Sequence, residues 1–274
     1  MKRKPVVSVV IGSFNRLPYI KGTLETLRAE IADLPHEIII VDGGSTDGTI
    51  DWLIKQKDVI TILQHNRGEW QGKPLERKSW GYFMNLGFRA TSGTYICMLS
   101  DDCLVIPGAI KNGIERCEKE RKKGKKVGAA AFYWRNWPEQ QNYWVGVAWG
   151  DRLFVNHGLY LRAAMEKVGF VDAGSYSFYH ADGDLCLQIW DAGYTVIDAP
   201  DSFIEHYSDA NSAVRTTNLE RQQQDWATYT KRWEHLGKPK VDWLYKDYSD
   251  PHDTAKKYWP PKLPKKSLKE RLFG

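Results

Sequence analysis

Cysteine is scarce in this chain of 274 residues, four in all, and none of the four sits in a CxxC pair or at zinc-like spacing. That excludes a disulfide scaffold and a structural zinc site, so Cys97, Cys103, Cys117 and Cys186 read as reduced core thiols of a cytosolic protein. Long apolar runs are missing too. No stretch approaches the ~18 apolar residues of a membrane helix, and the apolar run in "MKRKPVVSVVI" is too short for a secretory signal. The expectation is a soluble, cytoplasmic protein. There is no internal repeat, and no Pro/Gly/Ser linker marks off independent domains. A general basic field is also absent. The formal net charge is +5, yet residues 256–274 alone carry +6, which leaves −1 for the preceding 255 residues. The body is therefore not expected to bind nucleic acid. The basic tail is a separate matter: it is solvated, or it docks on something acidic, with anionic membrane lipid as the favoured surface.

What remains is ordinary globular material, 42% hydrophobic and 27% charged, with room for one large α/β domain or two small ones. Twelve Trp and fourteen Tyr are many. Such side chains line sugar- or base-binding surfaces, or they pack cores and hairpins. "VVSVVI" (6–11), "EIIIVD" (37–42), "VITILQ" (59–64) and "TYICML" (94–99) are short β-branched runs of the kind buried on both faces of a parallel sheet. Helix-like stretches alternate with them. Ile20, Leu24, Leu27 and Ile31 recur at helical spacing within 18–31, residues 47–56 have Ser45 or Thr46 as a cap, and 75–90 and 107–123 complete the set. Four strand–helix units in a row predict a doubly wound, mostly parallel α/β sheet.

Ligands of such sheets bind at the carboxyl ends of the strands. "GSFNR" (12–16), "DGGSTDG" (42–48), "HNRGEW" (65–70) and "SDD" (100–102) all fall at those ends, so four polar loops converge on one rim. Two adjacent aspartates, Asp101 and Asp102, follow a buried-looking strand. They repel each other unless a metal ion or a proton lies between them, or they simply form a turn. Further on, "KVGAAAFYW" and "YWVGVAW" predict a smaller mixed extension. "HADGDLCLQIWDAGY" (180–194) predicts a helix closed by Gly193, and 218–236 a polar helix bearing Trp226, Tyr229 and Trp233. From 247 onward the chain reads as a tail, wrapped on the body or free.

The ordered set "VSVVIGSFNR…EIIIVDGGSTDGT…SGTYICMLSDD…ADGDLCLQIWDAGYTVIDAPDSFIEH" resembles the GT-A-type glycosyltransferases of the large inverting family 2, over roughly residues 5–210. The resemblance implies a GT-A-like catalytic domain over 1–212, with a nucleotide-sugar half (1–104) and an acceptor half (105–212), followed by a C-terminal helix and basic tail over 213–274. It also implies transfer of a sugar, with inversion, from a UDP-, GDP- or dTDP-linked donor to a glycan or lipid-linked acceptor. Asp42 would accept a hydrogen bond from the base, or head an Asx-turn, and Phe14 would stack on the base, or pack. Asn15 and Arg16 would support the loop or reach phosphate. The family's Asp-x-Asp becomes Ser100-Asp101-Asp102 here, with Asp102 and His206 as ligands of Mn²⁺ or Mg²⁺ and Asp101 facing the ribose or a water. Lys73, Arg77 and Lys78, in a spacer longer and more basic than the family pattern, are candidates to neutralise the diphosphate, or form a solvated helix face. Trp134, Trp137, Trp144 and Trp149 are available for sugar stacking or core packing.

Inverting transfer needs a base. Asp182 and Asp184 share the first turn of the predicted helix, where its dipole favours the ionised form. Asp182 falls in line with Leu185 and Ile189 and matches the family's catalytic aspartate, although Ala181 replaces the usual preceding acid, and Asp184 is expected to point away from the buried stripe. Two rival readings differ in recognisable ways. A sugar nucleotidyltransferase would carry a glycine-rich basic loop after the first strand, where "GSFNR" has one glycine and an aromatic. A non-catalytic binding protein would be expected to lack Asp42, Asp102, Asp182 and Asp184.

Overall fold

The β-branched runs pair as their burial on both faces requires. The computed structural model describes residues 4–207, 219 and 221–259. Its first half runs β1 (Val7–Ser13), α1 (Leu17–Ile31), β2 (His36–Asp42), α2 (Thr49–Leu53), β3 (Val59–Leu63), a hairpin of β4 (Glu69–Trp70) and β5 (Lys73–Pro74), α3 (Trp80–Arg89), β6 (Tyr95–Ser100), β7 (Cys103–Val105) and α4 (Ala109–Lys122). The second half runs β8 (Val127–Trp137), β9 (Tyr143–Ala148), β10 (Arg152–Leu153), β11 (Gly158–Leu161), α5 (Arg162–Val168), α6 (Ala181–Asp191), β12 (Thr195–Tyr207), α7 (Gln222–Trp233), β13 (Trp243–Lys246) and α8 (Thr254–Tyr258).

Strands β6, β1, β2 and β3 are parallel neighbours. The antiparallel β11 joins β6 to β8, and β9, β10 and β13 extend that side. This is the expected doubly wound, mostly parallel sheet with a mixed extension. Alternate residues of β1 serve the two layers. Val9 and Ile11 pack with Ile20, Leu24 and Leu27 of α1, while Val10 packs with Met84 and Phe88 of α3. Gly87 lets α3 press onto the sheet, since a Cβ there would lie 2.6 Å from Val10 Cγ1 and 2.9 Å from Val41 Cγ2. One strand departs from expectation: β3 is an edge strand, with Ile60 and Leu63 each 47% exposed, because among the described residues no further strand pairs with it.

Two helices begin elsewhere than their periodicity predicts. The 75–90 stretch becomes helical only at Trp80, where Ser79 Oγ accepts from Tyr82 N at 3.0 Å. The 47–56 stretch contracts to α2, and Asp47, rather than Ser45 or Thr46, receives its first amide (Thr49 N, 3.0 Å). α4 lacks a cap of its own. Buried Glu30 of α1 accepts from Gly108 N (2.6 Å), Ile110 N (3.0 Å) and Lys111 N (3.0 Å), locking the two helices at the positive end of α4's dipole.

All four cysteines are buried and free, as expected. The chain wraps on the body as far as Trp259, which is buried against Tyr207 and Trp137 at ring-centroid distances of 5.1 and 6.1 Å. Most of the basic tail, residues 260–274, lies outside the described residues. Among those described, no helix is long and apolar enough to cross a membrane.

Glu30→Ala should strand three amides and lower stability by about 2 kcal/mol, the scale of a lost charged cap. Urea denaturation read by tryptophan fluorescence checks this.

Candidate functional site

The strand-end loops enclose a cavity. Its floor is the apolar Met84, Met98 and Leu99, and its walls carry Phe14, Arg16 and Asp101. Ser100 and Asp102 line it from the end of β6, and Arg67, Arg77 and Lys78 from the base of the β4–β5 hairpin. Asn66 closes that base by accepting from Lys78 N at 2.6 Å. The rim predicted from strand ends is thus where the cavity lies.

The predicted residues divide into those that reach the cavity and those that shape it. Phe14 reaches it, with the Arg67 guanidinium 5.0 Å above its ring centroid. Asp42 does not line it. It is fully buried and accepts from Gly44 N (2.9 Å), Ser45 N (2.7 Å) and Ser45 Oγ (2.7 Å), the Asx-turn alternative. Oδ2 accepts only the Ser45 hydroxyl and keeps a lone pair for a further donor. Asn15, at φ +53°, ties two loops together, donating from its N to Ser45 Oγ (2.8 Å) and accepting from Thr46 N (2.7 Å). Lys73 sits exposed on the hairpin and does not line the cavity. The hairpin, just ahead of the stretch predicted to be helical, carries Lys73 outward. Trp144 and Trp149 are buried, and Trp134 lies 3.8 Å from Trp144 between ring centroids, so these three pack.

Asp101 and Asp102 are both buried, and their charges oppose each other. Burial, then the Asp102 charge, pushes the Asp101 carboxyl well up, with Arg16 (Nε to Oδ1, 3.8 Å) resisting. At Asp102 burial acts in the same direction, but His206 and then Arg16 outweigh it and hold the carboxyl below its usual range. His206 Nε2 is 3.3 Å from Asp102 Oδ1, while its Nδ1 is 2.8 Å from Asn136 Oδ1. With Nδ1–H donating to Asn136, Nε2 turns a lone pair toward the carboxylate, and a proton or cation belongs between them. The gap suits a hard cation, because ligands at about 2.1 Å in octahedral geometry stand about 3 Å apart. Among the described residues no cluster of three or more His, Cys, Asp or Glu could hold a metal. Such a cation would therefore complete its shell with substrate oxygens and water.

Asp182 lies at the first turn of α6, accepting from Gly183 N (2.8 Å) and from Asn156 Nδ2 (3.0 Å). Asn156 lines the cavity, which puts the carboxylate at the cavity's edge. Burial raises Asp182 to about 6, overriding the helix dipole that favours the charged form. Asp184 does not point away from the core. It is fully buried and accepts from Trp233 Nε1 (2.7 Å), Tyr176 OH (3.0 Å) and Gln188 Nε2 (2.6 Å). The α6 periodicity could not reveal this, because α7 covers that face. α7 also supplies buried Asp225, which accepts from Ser177 N (2.8 Å), Phe178 N (2.9 Å) and Tyr179 N (2.9 Å), the segment leading to Asp182. Sequence reading missed Arg67, Asn136, Asn156 and Asp225. Only Arg67, inside the rim loop "HNRGEW", carried a local signal.

Residues 8–182 match the family model described as glycosyl transferase family 2. An uncharacterized glycosyltransferase of Nostoc sp. is 30% identical over 112 residues, 40% of this chain and 32% of the relative. The chain spans about a third of the length of the curated relatives it matches. Among solved structures, the mannosyltransferase PcManGT of Pyrobaculum calidifontis, in complex with GDP-Man and Mn²⁺, superposes with a TM-score of 0.60 at 18% identity, covering 85% of this chain and 69% of that one. TarS of S. aureus gives 0.55 at 13%, covering 84% and 82%, and is also solved with UDP-GlcNAc. At these identities the structures speak for the fold.

Asp225→Ala should free the amides of 177–179, and hydrogen exchange at Ser177, Phe178 and Tyr179 should accelerate by at least tenfold while β1 and β2 stay protected.

Proposed function

The chain belongs to glycosyl transferase family 2, and on that premise we propose that it moves a sugar, with inversion, from a nucleoside-diphosphate sugar to an acceptor hydroxyl. The observation that carries this reading is the bond from Asn156, a cavity-lining residue, to Asp182 Oδ2 at 3.0 Å. It holds a carboxylate one hydrogen bond behind the wall of the cavity that Asp102 lines, with His206 beside Asp102 at 3.3 Å. The nucleotide sugars in the PcManGT and TarS complexes, GDP-Man and UDP-GlcNAc, support a donor of this class.

In this reading Phe14 stacks on the base, with Arg67 over its other face. Arg67, Arg77 and Lys78 lie at the hairpin base and hold the diphosphate. Arg67 and Arg77 are desolvated enough that burial lowers the pKa of both, which strengthens their hold on an anion in a low-dielectric wall. Asp102 and His206 would hold a divalent ion, Mn²⁺ or Mg²⁺. When bound, that ion would offset the negative charge developing on the leaving diphosphate. Asp101 faces the ribose or a water. Asp182 takes the proton of the acceptor hydroxyl as the new C–O bond forms and the bond to the diphosphate breaks at the opposite face of the sugar. Asn156 keeps Oδ2 aimed while leaving the carboxylate able to accept.

Asp182→Asn keeps shape and helix position but cannot accept the proton. Turnover should fall by roughly 10²–10⁴, with calorimetric nucleotide affinity near wild type. Because Asp182 is ionised above about 6, wild-type kcat should climb with pH up to that value and then level. A profile without that acidic limb, or an active Asp182→Asn variant, assigns the base elsewhere. A panel of UDP-, GDP- and dTDP-sugars, with slow release of the nucleoside diphosphate as readout, tests transfer itself; pyrophosphate-dependent exchange would instead mark a nucleotidyltransferase.

Chelation with EDTA should weaken nucleotide-sugar binding at least tenfold, and added Mn²⁺ or Mg²⁺ should restore it. Asp102→Asn should bind the donor equally weakly with and without the ion. Unchanged affinity after chelation would return Asp101 and Asp102 to the role of a turn.

A further inference from the structure

Arg77, Lys78, Ser177 and Phe178 line two spaces: the cavity described above and a smaller recess on its outer flank. The remaining walls of the recess include Ser79, Gly174 and Arg221. We propose that this recess binds a phosphate group carried by the acceptor, separate from the donor's diphosphate.

Charge and shape both favour an oxyanion. Two guanidinium groups border the recess, together with the Lys78 ammonium, which is paired with the Glu76 carboxylate outside it. Arg221 and Arg67 flank Arg77 closely enough that their fields, after burial, depress its proton affinity. Like charges brought together in this way cost free energy that an anion between them relieves. The recess also opens at the start of α3, a ten-residue helix whose N-cap, Ser79, forms part of the wall. The positive end of the helix dipole therefore adds to the arginines. Small side chains at Ser79, Gly174 and Ser177 leave space for a tetrahedral group, and guanidinium forks match its oxygens.

Position distinguishes acceptor from donor. The proposal rests on the transfer reading, which puts the donor's diphosphate between the hairpin base and the Asp102–His206 pair at the strand ends. The recess is walled instead by the 174–178 segment, which leads directly into Asp182, and by Arg221 just before α7. Phe178, 37% exposed, borders both spaces.

The experiment uses the full chain presaturated with UDP or GDP and Mg²⁺, titrated calorimetrically with inorganic phosphate. Phosphate should bind on top of the nucleotide, and Arg221→Ala should weaken that binding at least tenfold while leaving nucleotide affinity unchanged. Glucose 1-phosphate and farnesyl monophosphate in detergent micelles form two further arms. Whichever binds more tightly, with the same dependence on Arg221, identifies a sugar phosphate or a lipid phosphate as the source. If nucleotide binds but phosphate does not add to it, competes with it, or ignores Arg221→Ala, the recess proposal is overturned and transfer stands. If the wild type binds no nucleotide under any condition, the transfer reading falls and takes this proposal with it.

Discussion

Everything at the site depends on one strand changing partners. β12 begins parallel to β8 and, after an irregularity between Ala199 and Phe203, also pairs antiparallel with β7. That second pairing sets His206 opposite Cys103, and Tyr207 N bonds to Asp102 O at 3.0 Å. Residues about a hundred positions apart are thereby locked beside each other by backbone hydrogen bonds, which do not depend on any ligand. The register matters as much as the pairing. A shift of one residue would turn the His206 ring to the opposite face and leave Asp102 facing Glu205 or Tyr207. Glu205 is held on the far side by a paired contact with Arg135 (2.8 and 2.9 Å) and by Tyr143 OH (2.6 Å), which secures the alternation.

Around that scaffold the protein concentrates charges of the same sign, two buried carboxylates at one place and a set of cationic side chains at another. Each is held by a backbone whose own hydrogen bonds are satisfied, and each becomes favourable when a charge of the opposite sign arrives. Stability is met elsewhere, by the two apolar layers on either face of the sheet and by charged caps such as Glu30 on α4. The separation is physical: apolar packing is non-directional and fills the layers, whereas directed polar groups gather at the strand ends where loops can turn them inward.

The acid pair on α6 illustrates how a second helix assigns roles. Both aspartates occupy the first turn, yet Asp184 is enclosed by Trp233, Tyr176 and Gln188, while Asp182 keeps a partner that borders the cavity. α7 accounts for most of the difference, through Trp233 and through Asp225 beneath the segment preceding Asp182. Its polar, tryptophan-bearing sequence thus has a purpose that its own periodicity does not express: it braces the carboxylate's approach from outside the family-matched region 8–182.

The sequence by itself determined the strand–helix alternation, the parallel core, and the rim at which ligands bind. β-branched runs, helical spacing and the polar residues at strand ends are local signals, and each acts over a few residues. The family resemblance singled out Asp102, His206 and Asp182, which the structure places beside one another (Asp102 and His206) and one hydrogen bond from cavity-lining Asn156 (Asp182). Tertiary structure alone decided the rest. It made Asp42 the head of an Asx-turn, accepting from Gly44 N, Ser45 N and Ser45 Oγ of its own loop. It turned Lys73 outward on a hairpin, and it buried Asp184 under a helix that begins well downstream. These outcomes share a cause. Hydrogen-bond satisfaction and burial are settled by whichever group arrives from elsewhere in the chain, and no local pattern records which group that will be.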